Sequence, residues 1–218
     1  PAEVLLADKS LPQPADLAPE NYADMKTYVA FRNATYDRHA VVDTGVKPEC
    51  LDWAKPELDT SDWRNFTAPS SIESQGMAID GAVWFRKEVE IPESWAGRNL
   101  TLHLGPISDN DIAYVNGEKV GATESNWRIW LFRTYTVPAS CVKPGKNVIA
   151  VRIFDRMGQG GFHPSYPDPL KLTDGRGNEL NLAGTWKCKI ERAEKPVPAP
   201  VGLPLPTGIP TAFYNAMI

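Results

Sequence analysis

An antiparallel β-sandwich is the fold class that this 218-residue sequence predicts, and three observations carry the prediction. First, Val83-Trp-Phe-Arg-Lys-Glu-Val-Glu-Ile91 sets Val83, Phe85, Val89 and Ile91 against Trp84, Glu88 and Glu90, and Leu100, Leu102 and Leu104 alternate with Thr101 and His103. A period of two sends apolar side chains to one face of a pleated strand, and that face needs a second layer to cover it. Second, Pro144-Gly-Lys-Asn-Val-Ile-Ala-Val-Arg-Ile-Phe-Asp155 repeats the pattern, with Ile149, Val151 and Ile153 on one side and Arg152 on the other. Third, Asn116-Gly117 separates Tyr114-Val115 from Lys119-Val120, and both residues tolerate the positive φ of a tight hairpin.

Taken in order, residues 1–18 carry Pro1, Pro12 and Pro14 and read as an irregular lead-in. From Pro19 to about Val42, Tyr22, Met25, Val29 and Tyr36 recur at helical spacing. Pro19 suits a first turn and Gly45 lies just past the end, so an amphipathic helix is expected here. Lys47 to Ala82 is loop-rich, with Leu51-Asp-Trp53 and Ser61-Asp-Trp63 as short strands or edge segments. After the central strands, Asn126 to Thr136 sets Ile129, Leu131 and Tyr135 opposite Trp130 and Phe132. Met157-Gly-Gln-Gly-Gly-Phe-His163 is a loop whose glycines open backbone shapes closed to other residues. Asp174-Gly-Arg-Gly-Asn178 is a turn, and Thr185 to Ile190 is the last strand, with Trp186, Cys188 and Ile190 inward and Lys187 and Lys189 outward. Six prolines between Ala193 and Pro210 enforce an extended strap. The chain therefore divides into a lead-in and helix (1–48), a sandwich (49–192) and a Pro-rich linker (193–218).

Composition narrows the function. A net charge of −4 gives no electrostatic reason for a nucleic-acid partner, and no apolar run approaches the length of a membrane helix. Cys50, Cys141 and Cys188 are odd in number and widely spaced, which makes neither a disulfide framework nor a zinc motif; buried free thiols are the expectation. Gly-x-Ser-x-Gly and phosphate-binding glycine loops are both missing from the sequence. His39, His103 and His163 are scattered, and only His163, beside the glycine loop, is a site candidate. Asp109 and Asp111 could offer oxygen ligands to calcium, although Asp and Asn before a strand more often bond the turn backbone. Trp84, Trp127 and Trp130 could stack on sugar rings, against core packing as the commoner fate; Trp53, Trp63, Trp95 and Trp186 read as core or edge residues. No cofactor is implied.

Several stretches together carry a family likeness: Val83-Trp-Phe-Arg-Lys, Trp95-Ala-Gly-Arg, Ile107-Ser-Asp-Asn-Asp, Tyr114-Val-Asn-Gly117, Arg133-Thr-Tyr-Thr-Val-Pro138, Lys143 to Arg152, Gly158-Gln-Gly-Gly161 and Leu182-Ala-Gly-Thr-Trp-Lys187. They resemble the galactose-binding-like jelly-roll inserted in the sialate O-acetylesterase family. They are also similar to the sugar-binding domain that opens family 2 glycoside hydrolases. The likeness covers roughly residues 50–218, and Pro210 to Ile218 is similar to the esterase family's return into its catalytic domain.

The esterase resemblance implies a non-catalytic jelly-roll module of an enzyme that removes O-acetyl groups from sialic acids or related sugars. That family's catalytic part is a serine hydrolase of the SGNH type, with its nucleophile before this module and an Asp-x-x-His pair after it. Neither motif is in this sequence, so no catalytic residue is assigned. The implied partners are the parent's own catalytic domain and an acetylated sugar, contacted through Trp127, Trp130 and His163, and the implied parent is secreted or periplasmic. Pro1 in place of an initiator Met and the apolar end Phe213–Ile218 fit an excerpt of a longer polypeptide. A stand-alone carbohydrate-binding module and a family 2 glycoside hydrolase's opening domain are the alternatives.

Overall fold

The computed structural model describes residues 40–95, 97–124, 131–163 and 170–196. Most of the expected helix after Pro19 and most of the Pro-rich strap lie outside these residues. Ala40 to Val42, the last residues of the expected helix, are not helical, and the Val41 N–H donates to the Arg156 carbonyl at 2.9 Å.

Among the described residues there are eleven strands: β1 (Arg64–Ala68), β2 (Asp80–Ile91), β3 (Leu100–Ser108), β4 (Asn110–Val115), β5 (Glu118–Thr123), β6 (Phe132–Val137), β7 (Gly145–Asp155), β8 (Gly161–Phe162), β9 (Lys171–Thr173), β10 (Glu179–Asn181) and β11 (Gly184–Glu194). They form two antiparallel sheets, one ordered β1-β11-β2-β7-β4-β5 and the other β10-β9-β3-β6, with β8 paired to β3. This is the antiparallel sandwich that the alternation predicts. The longest pairing joins β2 to β7 from Gly81↔Asp155 to Ile91↔Gly145. Between the sheets, Val83, Phe85, Ile149, Val151, Ile153 and Trp186 meet Leu100, Leu102, Ile107, Val137, Leu172 and Phe162, all buried. Asn116 (φ 50°) and Gly117 (φ 88°) turn the β4–β5 hairpin in the left-handed region, as their sequence requires.

Trp84 takes the commoner of its two expected fates, packing, and not sugar stacking. It does face away from the main core, yet it is fully buried and is no sugar platform. A second apolar cluster sits on the outer face of the larger sheet, where Trp84, Ile112, Tyr114 and Ala150 are covered by Cys50, Ala54 and Trp63. Trp84 stacks on Tyr114 with ring centroids 5.4 Å apart, and Trp53 meets it edge-on at 6.2 Å. The cover is a 3-10 turn, Pro48–Ala54, where an edge strand was expected. Pro48 at its first position fixes φ in the helical range, and Cys50 and Ala54 point down onto the sheet. Ser61-Asp-Trp63 is likewise a turn, leading into β1.

A buried clasp fastens this cover. Arg152 donates to both oxygens of Asp43 (2.8 and 2.9 Å) and, through Nε, to Glu191 at 2.8 Å. Glu191 also accepts from the Trp84 indole (2.6 Å) and the Lys47 N–H (3.1 Å). Glu191 shares the outer face with Lys189 by alternation, and the β11–β2 register shifts just there, so that Arg192 pairs with Ala82. Ile190 pairs in register with the core residue Val83 yet is 41% exposed, where the alternation had placed it buried.

Candidate functional site

Antiparallel pairing gathers several chain segments at one end of the sandwich. β2 begins there and β7 ends there (Gly81↔Asp155), β4 begins beside it (Asn110↔Phe154), and the end of β3 meets β6 (Pro106↔Phe132) and β8 (Ile107↔Phe162). Among the sequence candidates, His163 lies at this end. Its N–H donates to the Pro106 carbonyl at 2.9 Å, directly after Phe162 has anchored β8 in the core. Pro106 is also the register partner of Phe132. The pairing thus brings His163 and the first residue of β6 to the two edges of one β3 residue, although 31 positions separate them in sequence (163 − 132). Leu131 and Phe132 are exposed by 45% and 44%, an apolar pair at the rim. His163 is half-buried, and that burial pushes its imidazole below the ordinary histidine range, so it is neutral near pH 7. Trp127 and Trp130 lie outside the described residues.

Asp109, half-buried, and Asp111, buried, stand at the β3–β4 junction, but they face separate partners. One oxygen of Asp111 accepts from Arg133 Nε at 2.8 Å and the other from the Tyr135 hydroxyl at 2.7 Å. Arg133 is itself buried and donates to the carbonyls of Leu131, Ile107 and Asp109 (2.6, 2.9 and 2.7 Å). This network ties the base of β6 to β3 and β4 and fixes where Leu131 and Phe132 emerge. Burial, reinforced by the Asp111 charge, raises the Tyr135 phenol well above its ordinary range, so it stays a donor. Asp109 accepts from the Arg156 N–H at 2.9 Å. With these bonds the pair works as a turn and strand brace. Among the described residues no group of three His, Cys, Asp or Glu side chains is arranged to hold a metal ion.

A separate cleft of about 330 Å³ on the larger sheet is lined by Thr60, Arg86, Lys87, Glu88, Thr185, Trp186 and Lys187. Its charged groups are turned to structural work. Arg86 donates to the Lys55 carbonyl at 3.0 Å, Lys87 to the Thr185 carbonyl at 3.0 Å, and Glu88 pairs with Lys146 at 2.8 Å. Nothing in this lining pairs a nucleophile with a base.

No family model matches the chain, and no curated protein does. Solved structures do. A β-glucuronidase of an uncultured Clostridium is 18% identical, with a TM-score of 0.43 over 57% of this chain and 26% of that one. The Bifidobacterium dentium β-glucuronidase complexed with coumarin-3-O-glucuronide is 21% identical, with a TM-score of 0.43 over 50% of this chain and 17% of that one. The Ruminococcus gnavus β-glucuronidase in complex with C6-substituted uronic isofagomine is 18% identical, with a TM-score of 0.42 over 66% and 27%. The match spans about a quarter or less of each of these enzymes.

Two features of this end escaped the sequence reading. In the sequence Arg133 stands only within a strand motif, and nothing in its neighbours signals that it is buried against Asp111. The clustering of Glu73, Asp80 and Asp155 with Asp109 was also missed, because four separate segments supply it. An acid closing an apolar strand, as Asp155 does after Ile149 to Phe154, is the one local sign that was available.

Proposed function

We propose that this chain is a non-catalytic, carbohydrate-contacting sandwich module of a carbohydrate-active enzyme, of the kind that opens family 2 glycoside hydrolases. The supporting observation is the rim where His163 and the exposed Leu131-Phe132 pair flank Pro106. An aromatic face beside a neutral imidazole suits a sugar, whose ring carries apolar C–H faces and hydroxyls that both give and accept hydrogen bonds. The residues resembling family 2 sugar-binding domains include the Tyr114 to Gly117 hairpin and the Lys143 to Arg152 strand. These form the β4–β5 turn and most of β7 in the larger sheet. The esterase reading, an accessory module beside a sialate O-acetylesterase catalytic domain, remains the second proposal on the motifs quoted for it. The solved structures named above are glycoside-cleaving enzymes and include no esterase.

Calorimetry of the 218-residue protein against glucuronides, galactosides and O-acetylated sialic acids tests both. Binding near the millimolar level, about 4 kcal/mol, is expected for such an open rim. Phe132→Ala and His163→Ala should each weaken it severalfold. A response to uronides or galactosides alone favours the glycoside hydrolase reading, and a response to acetylated sialic acids alone favours the esterase reading. Silence across the panel contradicts sugar contact.

A further inference from the structure

At the same end of the sandwich lies a buried group that the sugar-contacting rim does not use. Asp155, the last residue of β7, is completely buried. Its Oδ1 accepts the Met157 N–H at 3.1 Å, whereas its Oδ2 has no hydrogen-bond partner. Gly160 closes directly over it: a Cβ added at Gly160 would stand 2.6 Å from Asp155 Oδ2 and 2.5 Å from Asp155 Cβ. The loop carrying Gly160 is stitched to its surroundings by backbone bonds. Ile72 N–H donates to the Gly160 carbonyl at 2.9 Å, Gly160 N–H donates to Glu73 at 3.3 Å, and Gly161 pairs with Ser108 on β3.

The charges around Asp155 are lopsided. Acids act on it from three directions: Asp80 from the start of β2, Glu73 from the 3-10 turn Glu73–Gln75, and Asp109 from the β3–β4 junction. Arg156, the next residue, acts on Asp109, and Arg133 gives its guanidinium to Asp111 and three carbonyls. A carboxylate in a dry site among other carboxylates is strongly disfavoured, and the neutral acid is the usual escape.

We propose that Asp155 keeps its proton at neutral pH and serves as the latch that holds the Gly158–Gly161 loop shut over this end of the sandwich, loosening the loop when the proton leaves. As a neutral acid, Asp155 turns its second oxygen from a lone acceptor into a donor toward the surrounding carboxylates. Ionised, it places a further negative charge beneath Gly160 and against Glu73, the side chain that the loop's own N–H binds. The loop leads straight into Phe162 and His163, so the latch governs how firmly the sugar-contacting rim is presented. Burial first, and then the charges of Asp109, Asp80 and Glu73, push the Asp155 carboxyl up to about 9.

The linkage has a definite sign. The unfolded chain releases this proton near the ordinary Asp value, about pH 4, while the folded chain holds it to about pH 9. Stability from this group is therefore complete below about pH 4, falls through the interval, and levels off above about pH 9. One retained proton lowers the folding equilibrium constant about tenfold per pH unit across that interval.

Urea denaturation of the protein and of Asp155→Asn between pH 5 and 10 tests the latch, since the amide keeps the neutral shape without a titrating proton. The wild type should lose about a hundredfold more in its folding equilibrium constant than the variant between pH 6 and pH 8. Hydrogen exchange at the Ile72 amide, corrected for its intrinsic pH dependence, should quicken in the wild type towards pH 9 and stay level in Asp155→Asn. Parallel stability curves would overturn the proposal. A rise in the wild type's denaturation midpoint on adding calcium chloride, absent from the variant, would also overturn it, because a cation and not a proton would then neutralise the site. Should Asp155→Asn fail to fold, infrared spectra of the wild type at pH 7 decide the matter. A protonated-carboxyl stretch that disappears near pH 9 supports the latch, and its absence at pH 7 refutes it.

Discussion

Two buried acidic sites, one on the outer face and one at the loop end, answer the problem of charge in a dry sheet in opposite ways. On the outer face, Arg152 binds Asp43 and Glu191 together, and Glu191 takes further donors from Trp84 and Lys47. At the loop end, Glu73, Asp80, Asp109 and Asp155 gather, Arg133 is committed to Asp111, Arg156 acts on Asp109, and Asp155 Oδ2 is left without a donor. The first arrangement satisfies its ionised groups and fastens a segment in place. The second keeps neutrality only by holding a proton, so it responds to the solution. Buried acids alone therefore do not distinguish a brace from a switch; the balance of donors around them does.

The sharpest way to break this comparison is to remove the cation from the balanced side. Arg152→Met strands two acids, one of them fully buried, and should cost about 3–5 kcal/mol in urea denaturation. A loss under about 1 kcal/mol would show that the clasp is not what fastens residues 43–54 to the sheet. Gly160→Ala attacks the other side by steric means. Its new methyl meets the Asp155 carboxyl well inside contact distance, and about 1–3 kcal/mol should be lost, as in other overpacked sites. An unchanged midpoint would mean that the loop does not press on Asp155. Trp84→Phe keeps the packing on Tyr114 but withdraws the indole donor from Glu191, for an expected loss of about 1–2 kcal/mol. The smallest effect belongs to His163→Ala, which should shift stability by less than about 0.5 kcal/mol while weakening sugar binding. A large stability loss there would make His163 a structural residue and remove it from the rim.

Much of this architecture was legible because the signals were local. The alternation of Val83 to Ile91 and of Ile149 to Ile153 marks the two strands with the longest pairing, and Asn116-Gly117 marks the hairpin beside them. For Trp84 two fates stayed open, because alternation reports which face a residue takes, not whether a distant segment covers that face. Here Pro48–Ala54 and Trp63 cover it. Ile190 keeps the face of Val83 but is exposed, since alternation assigns a face and not its cover, and nothing in Lys189-Ile-Glu-Arg192 announces the bulge that follows. Of the site, the glycine loop and His163 could be found from composition. The contact of His163 and Phe132 with one proline required β3 to be paired on both edges. The acid cluster depends on chain closure even more, since Glu73, Asp80, Asp109 and Asp155 come from four segments.

A carbon-13 carboxyl titration of the wild-type protein, with Asp155 assigned by its loss in Asp155→Asn, tests the comparison most directly. The account predicts that the Asp155 resonance is that of a neutral acid at pH 7 and turns over near pH 9. A resonance already that of a carboxylate at pH 7, moving only in the acid range with the exposed aspartates, would contradict it.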